Sequence, residues 1–158
     1  MRLSIASTDW LRTVCVYLAL SAGLHLAWEV IQLPFYTIWQ TGSGGEIAFA
    51  VVHCTVGDLM IAALTLVIAL VVFGRNAWPA ARFTPVMTAT LILGAGYTLY
   101  SEWINTVVRK SWAYSEFMPT LPGLGTGVTP LLQWLIVPSI ALIVADRTRL
   151  GSVKPRPT

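Results

Sequence analysis

Five ionisable side chains stand inside long apolar runs of this chain: His25, Glu29, His53, Asp58 and Glu102. An ionisable group in a membrane-length apolar segment is costly, and by default it marks function. If the runs are helical, His25, Glu29 and Gln32 stand at i, i+4 and i+7 and form one stripe. Thr98, Glu102, Asn105 and Arg109 form a second stripe by the same spacing. His53 and Asp58 are five positions apart, about 140° around a helix, so one of them can point elsewhere, while Cys54 shares a face with Asp58. Thr129 and Gln133 share a face on a later segment. Carboxyls and imidazoles enclosed together in low dielectric have their proton affinities pushed in opposite senses, and such a set suits acid–base chemistry near neutral pH.

These residues need elements that place them together. The chain has 158 residues, of which 56% are hydrophobic and 11% charged, with a mean hydropathy of +0.70. Soluble domains carry roughly 25% charged residues, so this is a membrane composition and one domain, 1–158. The expected fold is an all-α, four-transmembrane-helix bundle. A span needs about 20 mostly apolar residues, and the stretches at about 11–33, 47–73, 84–108 and 129–145 qualify, with Pro34 ending the first and Pro130 opening the fourth. Arg2, Arg12, Arg75, Arg82, Arg147, Arg149, Lys154 and Arg156 then share one side, against Arg109 and Lys110 on the other. That bias places both termini in the cytoplasm and fits a bacterial inner membrane. The net charge of +3 reports orientation and is no sign of nucleic-acid binding. Arg2, the apolar run and the small residues Ala19, Ser21 and Ala22 also resemble a secretory signal, but the apolar run continues past them. The tail 151–158 reads as a short disordered end.

Depth is the most informative feature after topology. At ~1.5 Å rise per residue, His25 falls ~5 Å outward of its span's centre, Glu29 ~10 Å, His53 ~10 Å, Asp58 ~3 Å, Glu102 ~9 Å and Gln133 ~6 Å. Helices of alternating direction thus put their polar groups in one outer band and leave the inner half almost purely apolar. The outer loops, 34–46 and 109–128, carry Phe35, Tyr36 and Trp39 in one and Trp112, Tyr114 and Phe117 in the other. Such aromatics form an interfacial belt. The second loop is long enough to be a lid: its aromatic half could cover the cavity and its Pro/Gly half could form a tight return. The bland reading is an interfacial helix and a spacer. Gly57, Gly94 and Gly96 are expected to permit close helix packing, and free buried Cys is the expectation for Cys15 and Cys54.

Two short pieces resemble the EXPERA family of emopamil-binding, sterol-isomerase-like membrane proteins. They are Glu29-Val30-Ile31-Gln32-Leu33-Pro34-Phe35 and Val52-His53-Cys54-Thr55. The resemblance implies a small helical bundle with intramembrane acidic residues, a lipophilic ligand and double-bond isomerisation by protonation and deprotonation. Only Glu29, Gln32 and His53 carry over. In the family another span precedes this motif, whereas here it lies on the first.

The expected function is acid–base chemistry of isomerase, hydratase or lyase type on a membrane lipid or an isoprenoid- or sterol-like molecule. Glu29 and Glu102 are the acid–base candidates, His25 and His53 orient or relay protons, and Asp58 stabilises positive charge. Trp28, Gln32, Asn105, Trp112, Tyr114 and Gln133 are the substrate-contact candidates. No Ser or Cys sits beside a base in a recognisable hydrolase motif. No cofactor is expected, yet His25 and His53 with Glu29 or Glu102 also suit a divalent metal. A lipid-binding protein, a homo-oligomer and a non-catalytic subunit of a membrane complex are compatible too. Each candidate has a structural reading beside the chemical one. His25 with Glu29 can glue helices, His53 can be a satisfied core histidine, Glu102 can pair with Arg109 or a histidine, and Trp28 and Trp103 can be packing residues.

Overall fold

A computed structural model of the chain describes residues 3–74 and 78–150. Arg2, Arg75, Lys154 and Arg156, four of the charges behind the orientation argument, lie outside the described residues, as does the tail 151–158. In chain order the helices are α1 (Leu3–Gln32), the short α2 (Ile38–Thr41), α3 (Gly44–Ala69), α4 (Phe83–Trp103) and α5 (Val128–Leu150).

Local chemistry sets the boundaries. α1 runs into a 3-10 turn, Leu33–Phe35, at Pro34, whose ring cannot continue the ladder. α3 starts at a capping box. Ser43 Oγ accepts from the Glu46 N–H at 3.3 Å, and the Ser43 N–H donates to Glu46 Oε2 at 2.8 Å. The box satisfies two orphan donors. α4 continues as a π turn, Ile104–Val108, closed by Arg109 N–H to the Ile104 carbonyl at 2.8 Å. π turns are rare and cluster at functional sites, and this one begins two residues after Glu102. α5 contains Pro138, whose missing N–H frees the Trp134 carbonyl.

α1 packs on α3 and α5, and α4 packs on the same two, so the four long helices form a ring with α1 and α4 diagonal. Three stretches are long and apolar enough to cross a membrane: Asp9–Phe35, Gly44–Gly74 and Val128–Thr148. α4, expected from sequence to be a span, falls short of that measure because Thr84, Thr88, Thr90, Thr98, Ser101 and Glu102 dilute its apolar residues. It nevertheless turns apolar side chains outward like its neighbours: Ile92 is 67% exposed, beside Ile31 at 70% on α1 and Val71 at 81% after α3. Soluble proteins rarely expose large apolar patches.

The core lies in the half of the bundle away from the α1–α3 and α4–α5 loops. Tyr17, Leu66, Val86 and Leu142 are buried there, and Trp134 extends this core toward the loops, where its ring meets that of His25. α4 and α5 approach closely at Gly94, where an added Cβ would lie 2.1 Å from Trp134 Cε3. Gly57 and Gly96 do not play the packing role expected of them, since nothing stands within 4 Å of a Cβ at either. This half is also less apolar than the sequence implies, with Thr13, Tyr17, Ser21, Thr65 and Thr90 all buried. The three threonines hide their hydroxyls on their own helix: Thr13 on the Asp9 carbonyl at 2.9 Å, Thr65 on Ile61 at 2.8 Å and Thr90 on Val86 at 2.9 Å. Such back-bonding lets hydroxyls enter a core without a partner helix.

Candidate functional site

The C-terminal half of α1, the N-terminal half of α3, the C-terminal half of α4 and the start of α5 meet at the end of the bundle nearest the two loops. A cavity of roughly 980 Å³ opens there, with Glu29, Asp58, Glu102, Asn105 and Gln133 on its walls. Glu29, Asp58, Glu102 and Gln133, from four different helices, thus face one cavity.

One centre is built on Gln133. Its amide nitrogen lies 2.9 Å from His25 Nδ1, 3.1 Å from Glu29 Oε1 and 2.8 Å from Asp58 Oδ2. Gln32 donates to the same Glu29 oxygen at 2.8 Å, and His25 Nδ1 is 3.4 Å from Asp58 Oδ2. One side chain of α5 thus ties α1 to α3. An amide nitrogen carries two hydrogens, whereas three acceptor positions converge on this one. Gln133 therefore cannot satisfy all three positions at once. His25 is fully buried behind the cavity wall, its ring 5.3 Å from that of Trp134.

The second centre is Glu102. The Tyr114 hydroxyl donates to Glu102 Oε2, and the Gly127 N–H donates to that hydroxyl at 2.9 Å. Burial, and then the bond to Glu102, holds the Tyr114 phenol above its ordinary value, so it stays protonated and remains a donor. Tyr36 is raised likewise, by burial first and the Glu102 charge second, and its ring lies 5.5 Å from that of Tyr114. Glu102 is thus held by tyrosine. Among the described residues, no ion pair joins it to Arg109 or to a histidine.

The loops form a cover. Thr37 N–H donates to the Ala113 carbonyl at 3.0 Å, and Ser115 N–H donates to the Phe35 carbonyl at 2.9 Å. Trp112 lines the cavity beneath this seam. The Pro/Gly half closes as a tight return, with Val128 N–H on the Pro119 carbonyl at 2.7 Å and positive φ at Gly123 and Gly125. Those φ values need glycine. No helix forms in residues 109–127, so the alternative of an interfacial helix is not what this loop adopts. On one flank the wall is open: Phe49, Met60 and Tyr97 line the cavity, yet they are 69%, 65% and 50% exposed. The mouth therefore lies laterally, between α3 and α4.

Some expected residues stand apart. His53 is exposed at the rim, stacked on Phe49 at 5.4 Å, and it does not join His25. Five positions from Asp58, it faces another way. Among the described residues, no three His, Cys, Asp or Glu side chains group as a metal set. Trp28 is half-buried on α1 but does not line the cavity, being about 100° from Glu29. Asn105 lines the wall while donating to the Ser101 carbonyl at 2.9 Å. Thr129 turns to Met118 Sδ at 3.3 Å. Sequence reading missed Tyr36, which looks like any interfacial aromatic until the loop seam places it over Glu102. Cys15 and Cys54 are free, as expected, but not buried: Cys15 turns outward and is exposed, and Cys54 is half-buried. No protein-family model, curated protein or solved structure matches the chain.

Proposed function

We propose that the chain is a four-span protein of a bacterial inner membrane, with both termini cytoplasmic, that carries out acid–base chemistry on a lipophilic substrate entering laterally from the outer leaflet. The observation that carries this reading is the pair of carboxyl centres on one cavity. Glu29 of the Glu29–Asp58–His25–Gln133 cluster and Glu102 of the Glu102–Tyr114 pair stand on the diagonal helices α1 and α4, with space for a ligand between them. α4 completes the bundle as the fourth span, because its outward face is apolar and its polar side is buried.

In this reading one centre gives a proton to a double bond of the substrate and the other takes a proton from a neighbouring carbon. The sum is an isomerisation with no net change of protons, and addition or loss of water is the hydratase or lyase variant. Asp58 faces the developing positive charge, His25 relays protons behind the wall, and His53 at the rim orients the entering molecule. Trp112 and the loop seam keep water from the cationic intermediate.

The test is purification of the full chain in mild detergent, with co-purified lipids identified by mass spectrometry and then incubated with fresh protein. Wild type should convert a specific bound lipophile. Glu29→Gln and Glu102→Gln should retain it while losing at least about a hundredfold in rate, the usual weight of one general acid or base. Retention without conversion by any form, wild type included, would leave a lipid-binding protein and sink the enzymatic reading.

A further inference from the structure

Along α1 a polar residue recurs at every fourth position: Asp9, Thr13, Tyr17, Ser21, His25 and Glu29. Side chains four apart meet along one ridge of a helix. Because helical side chains lean toward the N-terminus, each lies over the member before it. The ridge winds about 40° per step, which would carry it to the surface of a helix with a single buried face. Here it stays inside, with Thr13, Tyr17, Ser21 and His25 all 0% exposed. α1 permits this because α3 flanks it on one side and α5 on the other. From Thr13 to Glu29 the ridge rises about 24 Å, most of a hydrocarbon core about 30 Å thick.

Three consecutive members carry a buried polar atom with no partner in good hydrogen-bond geometry: the Tyr17 hydroxyl, which lies near Ser21, Ser21 Oγ itself and His25 Nε2. Buried polar atoms are nearly always satisfied, and bound water serves those that protein does not reach. The opposing walls hold small side chains, Ala62 and Ala69 on α3 and Ala141 and Ala145 on α5, each fully buried. At the inner end Thr13 rests on the Asp9 carbonyl, and Asp9 is partly exposed. At the outer end His25 Nδ1 meets Gln133 and Asp58. His25 thus has one nitrogen in the carboxyl cluster and one left over for the ridge.

We propose that this ridge is a proton-conducting file joining the inner side of the membrane to the outer-half carboxyl cluster. A proton entering from water beside Asp9 passes along water held by the Tyr17 and Ser21 hydroxyls. Each carrier accepts one proton and releases another, so none is changed. His25 takes the proton at Nε2 and releases one from Nδ1 to Asp58. The receiving cluster is faced by Asp58 and Cys54 from α3, Glu102 from α4, Gln133 from α5 and Tyr36 from the loop. The file gives the molecule a second activity, proton movement across the bundle. It rests on the acid–base reading only for its destination.

The full chain is reconstituted into phosphatidylethanolamine–phosphatidylglycerol vesicles holding a pH-sensitive dye, and a potassium diffusion potential is imposed with valinomycin. Wild type should admit protons several-fold faster than empty vesicles. Ser21→Val and Tyr17→Phe should fall back to the empty-vesicle rate, while Ser21→Thr, the same size as valine but with a hydroxyl, should keep most of the wild-type rate. Tyr17→Phe carries the test if Ser21→Val does not fold. Wild type no faster than empty vesicles, or Ser21→Val as fast as Ser21→Thr, overturns the file. The same preparations are assayed for a bound lipophile. Flux with no lipophile supports the file and counts against the acid–base site, whereas a converted lipophile with no flux overturns the file alone.

Discussion

The two ends of the bundle handle buried polarity in opposite ways. In the half away from the α1–α3 and α4–α5 loops, Thr65 and Thr90 close onto carbonyls of their own helices, and the helices touch through apolar side chains such as Leu66, Val86 and Leu142. In the half next to those loops, polar groups reach across: Gln133 of α5 contacts α1 and α3, and Tyr114 of the loop contacts Glu102 of α4. The far end is therefore held by packing and the loop end by hydrogen bonds that need one another. A cavity survives at the loop end because such bonds brace its walls without filling the space between them.

Removing a shared bond should hurt most. Gln133→Leu strips the common donor from His25, Glu29 and Asp58, and unsatisfied buried acceptors cost about 1–3 kcal/mol each. We expect a loss of about 3 kcal/mol, read as a lowered melting temperature in detergent. A smaller change of melting temperature would show that the loop end does not depend on this amide. Next comes packing near the middle of the bundle. Gly94→Ala drives a methyl into Trp134 and should cost about 1–3 kcal/mol, whereas Gly96→Ala, facing open space, should be neutral or slightly stabilising. Equal effects at both glycines would refute the close α4–α5 contact.

Alkali should then weaken the loop end first. Tyr36 and Tyr114 have raised values in the folded protein, so their contribution is complete below pH about 10, the ordinary tyrosine value. It is lost above that, as the unfolded chain releases protons that the folded one keeps. Tyr114→Phe should flatten that alkaline loss, measured by melting between neutral pH and strong alkali; an unchanged slope would remove Tyr114 from the account. The smallest effect belongs to Thr90→Val, where a hydroxyl bonded to its own helix is replaced. A change within about 1 kcal/mol is expected, and a larger one would mean that Thr90 bonds across helices.

The sequence made the polar band legible because charge in an apolar run is conspicuous and helical rise converts position into depth. It placed Glu29, Asp58, Glu102 and Gln133 at one level, and all four line the cavity. The partners were harder. Nothing in the spacing of Glu102 and Tyr114 foretells their bond, because a loop of irregular backbone decides it. His53 looked equal to His25, yet one residue of helical rotation separates the rim from the interior. The buried hydroxyls of the far half went unread because Thr and Ser weigh little in hydropathy. The π turn after Glu102 left no mark in the apolar pattern.

The most direct test of the central claim, a ligand cavity at the loop end of the bundle, is native mass spectrometry of wild type beside Gly57→Trp. Gly57 lines the cavity with open space before it, so the indole should occupy the ligand's place without displacing backbone. The account predicts one lipophile per wild-type chain, none on Gly57→Trp, and a melting temperature no lower in the variant. The same lipids on both, in the same amounts, would contradict it.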